Sequence, residues 1–199
     1  TPAATYAKTA DRDWEDDSQL SRAARRAGCE DIALQFINFQ ERMEARFGAG
    51  SSDGIEVALG GGRHHFHGDA ATGGRRKDGR DLIADWQRRY PRGSFVEDSE
   101  GLSAATRGPL LGLFAASHMA YASERAEPGA TQPSLPAMTR KAIELLRRNG
   151  DGFFLVVEGG RIDHAHHAGN AFNALNDTIE MAEAVRVAVE ATDPDDTLI

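Results

Sequence analysis

Cysteine is nearly missing from this chain of 199 residues: Cys29 stands alone. A single thiol excludes an internal disulfide and any multi-cysteine zinc site. Long apolar runs are missing too. Nothing approaches the roughly 18 consecutive apolar residues of a membrane-spanning helix, so no segment reads as a membrane span. Basic charge is in deficit, with 23 Lys and Arg against 31 Asp and Glu and a formal net charge of −8. Sequence-independent nucleic-acid binding needs clustered basic residues, so nucleic acid is not expected as a partner. The arginines of "SRAARR" and "GGRRKDGR" are broken up by acids and read as solvated surface. "ALGGGR" lacks the Gly-Lys-Ser/Thr ending of a phosphate-binding P-loop, and no serine stands in a nucleophile-elbow pattern. What remains, 40% hydrophobic and 27% charged, is the composition of a soluble globular domain.

The periodicities predict alternating strands and helices. Residues 19–28 read as a helix closed by Gly28, and 30–47 as a longer one with Ile32, Phe36, Phe39, Met43 and Phe47 on a single apolar face. "GIEVALGGGR" is a short strand ending in a triple-glycine turn, and 67–80 is a glycine- and arginine-rich loop. A helix over 80–90, strands in "SFVED" and "PLLGLF", and an irregular stretch over 115–133 follow. The segment 134–150 is a helix with Leu135, Met138, Ala142, Leu145 and Leu146 inward. "FFLVVEG" is a continuous apolar run of the kind that suits a strand buried on both faces. The last helix spans about 168–191, with Phe172, Leu175, Ile179, Ala182 and Val185 expected inward. Thr197, Leu198 and Ile199, after an Asp/Pro turn, read as the opening of another strand, which makes the sequence an expected internal fragment. The order of elements is that of an α/β sheet.

One stretch concentrates the chemistry. "VVEGGRIDHAHHAGN" places Glu158, Asp163, His164, His166 and His167 directly after the apolar run. It is either a polar turn rich in histidine or a metal site. Asp163 and His167 are four residues apart, so one helical turn points both the same way. A carboxylate oxygen with an imidazole nitrogen suits zinc. Glu158, across a Gly-Gly turn, could serve a harder ion such as magnesium. A carboxylate closing a buried strand is costly unless a cation compensates it. "RHHFHG" at 63–68 reads as a polar loop rather than a metal site, and His118, Trp14 and Trp86 as structural residues.

The segment "FFLVVEGGRIDHAHH" closely resembles the metal-binding segment of alkaline phosphatases, the zinc- and magnesium-dependent phosphomonoesterases. "TPAATYAKTADRDW", "GCEDIA", "ALGGGR", "DLIADWQ", "GLF", "PSL" and "DDTLI" resemble further family segments in the same order. The resemblance implies one partial domain over 1–199, part of an α/β/α sandwich with a mostly parallel sheet, truncated at both ends. It implies Asp163 and His167 as ligands of the first zinc, Glu158 and Thr1 as magnesium ligands, Arg12 as the phosphate grip, and His164 as a water-mediated phosphate contact. It also implies a phosphate monoester substrate, a homodimer, and a periplasmic or secreted address. The family's nucleophilic serine would lie before residue 1 and further zinc ligands after Ile199. Cys29 matches a family cysteine whose partner would also lie upstream. In place of a calcium-binding Phe-Glu pair and an aspartate found in animal members, this chain has Phe114-Ala115 and Gln132, so that site is expected to be absent or weakened. The rival readings are a non-catalytic metal- or phosphate-binding module and another enzyme of the wider metallo-phosphatase and sulfatase superfamily.

Overall fold

The computed structural model describes residues 13–199. Its sheet holds β1 (Val57–Gly60), β2 (Ser94–Val96) and β3 (Leu110–Leu113) in the order β1-β3-β2, all parallel. Val57 and Ser94 both stand in register with Leu110, so β3 is the central strand. All four of its residues are buried. Before β1 come α1 (Arg22–Arg26), α2 (Ile32–Ile37) and α3 (Phe39–Phe47). α4 (Leu82–Arg89) precedes β2, and α5 (Ser99–Ala104) links β2 to β3. α6 (Ala122–Arg125), α7 (Leu135–Leu146), α8 (Arg161–His167) and α9 (Ala171–Ala191) follow β3.

Side chains alternate across β3, and each face is covered. Leu111 and Leu113 join Ala33, Phe36, Ile37, Leu82 and Trp86 from α2 and α4. Leu110 packs on the other side with Leu102, Met138 and Leu145 from α5 and α7. The result is the expected α/β layering, with Trp86 in the core as a structural residue. α7 begins on Ser134, whose hydroxyl accepts the Ala137 N–H, with Pro136 in the first turn.

Four expectations about the body of the fold need correcting, with a fifth at the chain's last residues. The 30–47 helix is two helices that meet at Asn38, whose side chain donates to Glu30 rather than capping α3. Phe39 and Met43 are only half-buried and Phe47 is exposed, so the apolar face covers the core along α2 alone. The apolar run at 153–158 forms no ladder, and Phe154 is 85% exposed. A doubly buried strand needs neighbours on both edges, and no described strand pairs with this run. The Asp/Pro turn before the end does form, with Thr197 N–H donating to Asp193 O, but Leu198 and Ile199 are exposed.

The third correction concerns α9. Phe172, Leu175, Ile179 and Val185 face outward, and the buried side chains are Asn173, Ala174, Asp177, Ala184 and Val187. Small residues let α9 approach α7 closely, and its buried polar groups find partners on α6. Ser123 Oγ donates to Asn173 Oδ1 at 2.9 Å, Ala122 N–H donates to Asp177 at 3.2 Å, and Arg125 pairs with Glu180. Burial raises the Glu180 pKa above its ordinary value.

The fourth concerns Arg76, which is not solvated surface. Its side chain is 0% exposed and that of Asp31 1%. Nη1 and Nη2 donate to the two Asp31 oxygens at 2.9 and 3.1 Å, a bidentate fork. Burial works against the charge of Arg76, and bonds to Asp31 and Asp78 outweigh it, holding its pKa above the usual value. Asp31 also caps α2 by accepting the Leu34 N–H at 3.0 Å. Asp31→Ala is therefore expected to lower the unfolding free energy by about 3–5 kcal/mol, because a buried guanidinium loses its main partner. Asp31→Leu combined with Arg76→Met should cost less than Asp31→Ala alone. Urea unfolding of the intact protein measures both.

Candidate active site at the carboxyl ends of the strands

In open α/β sheets, functional groups gather beyond the carboxyl ends of the strands, and three segments meet there. The loop after β1 is stitched to the loop after β3 by backbone bonds. Phe114 N–H donates to Gly60 O, Gly62 N–H to Ser117 O, Arg63 N–H to Ala115 O and His64 N–H to Ala116 O, at 2.7–3.1 Å. This stitching explains the glycines. A Cβ on Gly61 would collide with the Ser117 carbonyl, and Gly62 holds φ +92°.

The stitched loop delivers His64 and His65, both buried, in a short 3-10 turn. His65 Nδ1 donates to Asp16 Oδ2 at 2.7 Å, and the two histidine Nε2 atoms lie 2.9 Å apart. Glu15 Oε2 is 3.3 Å from His65 Nε2. "RHHFHG" is thus an internally satisfied turn, more buried than a polar loop. Burial pushes the Asp16 carboxyl up, but hydrogen bonds from Ser18 and His65 outweigh it and leave its pKa below the ordinary value. Burial, reinforced by His65 and Arg75, lowers His64 from 6.5 to about 4.

The third segment is α8. Gly159 lets it start against α9, since a Cβ there would meet Ile162 Cδ1 at 2.8 Å and Met181 Cβ at 3.3 Å. The Glu158 carboxyl carbon lies 3.6 Å from where a Gly160 Cβ would stand, so the side chain curls back over the turn. Asp163 and His167 share one side of α8, with Oδ1 and Nε2 3.4 Å apart and the side chains 74% and 79% exposed. His164 accepts at Nδ1 from Arg161 Nη1 at 2.9 Å, and its ring centroid is 4.3 Å from that of His118. The Arg161 guanidinium sits 3.7 Å above the Tyr121 ring. Burial first, then His164 and Arg161, lower the His118 pKa.

The structure thus brings Asp163 and His167 together and sets His164 on the same helix. Glu158 does not join them in one cage: among the described residues, no group of three or more His, Cys, Asp or Glu is arranged to hold a metal ion. Thr1 and Arg12 lie outside the described residues. Sequence reasoning missed the Asp16–His65–His64 chain, Arg161, Tyr121 and the contact of His118. The adjacent histidines after a triple glycine were the one available signal. At the position expected to have lost calcium ligands, Gln132 Oε1 accepts the Ala120 N–H at 2.8 Å. Cys29 is exposed and carries a free thiol. Among the described residues, no helix is long and apolar enough to cross a membrane.

Fold and site define an α/β protein whose histidines and carboxylates gather on loops and a helix at the carboxyl ends of a parallel sheet. The chain belongs to the alkaline phosphatase family, whose model matches residues 1–199. It is 38% identical over 214 residues to alkaline phosphatase of Gadus morhua, a match covering 100% of this chain and 42% of that protein. The structure of Thermus thermophilus alkaline phosphatase superposes with a TM-score of 0.65 at 34% identity, covering 84% of this chain and 30% of that one. A TAB5 alkaline phosphatase variant with Mg bound in its M3 site shares the fold, with a TM-score of 0.58 at 22% identity over 96% of this chain and 43% of that one. The chain therefore spans about two-fifths of the length of the Gadus morhua relative.

Buried His64 gives a pH signature. Unfolded, His64 titrates near 6.5; folded, near 4. Between those values the unfolded chain binds the extra proton. Stability is then complete above about pH 6.5 and falls as the pH drops toward 4. The expected loss over that window is about 1–3 kcal/mol, and His64→Gln should flatten it. Urea unfolding of the intact protein at a series of pH values checks the slope.

Proposed function

We propose that this chain carries part of a metal-dependent site that hydrolyses phosphate monoesters. The observation that carries the reading is the pairing of Asp163 and His167 on one exposed side of α8, 3.4 Å apart. Their donor types are those zinc takes, and their exposure leaves room for further donors. In this reading Asp163 and His167 hold zinc, while Glu158 and the Thr1 hydroxyl hold magnesium, which prefers hard oxygen donors. A TAB5 alkaline phosphatase variant of the same fold has Mg bound in its M3 site, in keeping with magnesium as one of the ions. When bound, such ions polarise the phosphoryl group and neutralise the charge that develops on its oxygens.

The chain's own residues do the rest. The planar fork of Arg12 can hold two phosphoryl oxygens at once, which an ammonium cannot do. His164 contacts the phosphate through water. The family's nucleophilic serine matches no position in this chain. Binding through the phosphoryl oxygens alone leaves the leaving alcohol largely unread, so the substrate class is broad. A homodimer and a periplasmic or secreted address complete the proposal.

Asp163→Ala in the intact protein should lose zinc and p-nitrophenyl phosphate turnover together, with turnover falling about a hundredfold or more. Metal analysis beside the rate assay checks it, and full turnover with unchanged zinc would remove the assignment. An intact protein that binds zinc yet turns over no p-nitrophenyl phosphate would be a metal- or phosphate-binding module instead.

A further inference from the structure

The family motif does not account for the surroundings of His164. The Arg161 guanidinium lies over Tyr121, its carbon 3.7 Å from the ring centroid. Its Nε is buried without a hydrogen bond among the described residues, so stacking and the single Nη1 bond to His164 set its position. The Tyr121 platform is itself anchored. Tyr121 N–H donates to Glu124 at 2.7 Å, and the helix it opens is bound to α9 through Ala122, Ser123 and Arg125. On its other side the His164 ring meets His118 at an interplanar angle of 62°.

A guanidinium can only donate. The His164 nitrogen facing it, Nδ1, must therefore present a lone pair, and the neutral ring must carry its proton on Nε2. We propose that Arg161 is a positioning residue: stacked on Tyr121, it locks His164 in the Nε2–H tautomer and so makes it a hydrogen-bond donor toward a phosphate anion or its bound water. A phosphate monoester dianion offers only acceptors, so the opposite tautomer would turn a lone pair toward it. Lysine at 161 could not set a planar cation over Tyr121 while donating to His164 from its edge. The inference rests on the phosphate-site reading above, and the tautomer itself is measurable without turnover.

In the intact protein labelled with nitrogen-15 histidine, two-bond proton–nitrogen spectra should show His164 with Nε2 protonated and Nδ1 bare. His164→Gln assigns the signal by its loss. Arg161→Ala should mix the tautomers and weaken the binding of inorganic phosphate about tenfold. Tyr121→Phe keeps the aromatic platform and should keep the single tautomer. A protonated Nδ1 in the unsubstituted protein overturns the assignment, as does an unchanged tautomer or phosphate affinity in Arg161→Ala. If Arg161→Ala fails to fold, the unsubstituted spectrum still decides. Absence of p-nitrophenyl phosphate hydrolysis would count against the proposed function and leave the spectral result standing.

Discussion

The parallel ladder between β1 and β3 continues past the point where both strands end. Bonds from Phe114, Gly62, Arg63 and His64 N–H groups carry the pairing into the two loops. Backbone amides that would otherwise be buried without partners are satisfied there, and the loops are tied to each other as the strands are. The constraint is steric as well as polar. It works because Gly61 has no Cβ to strike Ser117 and Gly62 can turn with a positive φ. Everything delivered by those loops, the buried histidine pair on one and His118 on the other, takes its position from this stitching.

A second tie fixes the far end of the same loop. Arg76 Nη1 donates to the His65 carbonyl at 3.3 Å while its fork holds Asp31, and the Lys77 N–H donates to Asp17 at 2.8 Å. One buried cation thus binds the capped start of α2 and the histidine turn. A buried ion pair adds little net stability over apolar packing, yet breaking it is expensive. Its consequence here is placement: Asp16 stays against His65 because the segments on either side are held.

The site helix was legible in the sequence, and its surroundings were not. Asp163 and His167 stand four residues apart, and helical geometry alone puts them on one side. The strands around "VALG" and "LLGL" were readable because apolar runs between turn residues leave few alternatives. The inward face of α9 was misread because the helix has two apolar stripes. The larger one, with Phe172 and Ile179, looked like core, but the small residues and the polar groups bonded to α6 won the contact. Arg76 was misread for a related reason. Its carboxylate partner stands 45 positions away, and no local pattern announces it.

These ties divide the candidate site into two halves. One half is bound to the sheet through the stitched loops and presents His118. The other, α8, is bound to α9 through the tight contact at Gly159, and α9 holds α6 and its Tyr121 platform by buried polar bonds. The halves meet where His118 packs on His164, and inside the second half Arg161 on Tyr121 bears on the same imidazole. Neither contact contributes much energy, since such ring contacts are worth about a kcal/mol each. Their effect is angular. They set the rotation of one imidazole and the nitrogen that carries its proton, and these together decide whether the ring presents a proton or a lone pair to an approaching anion.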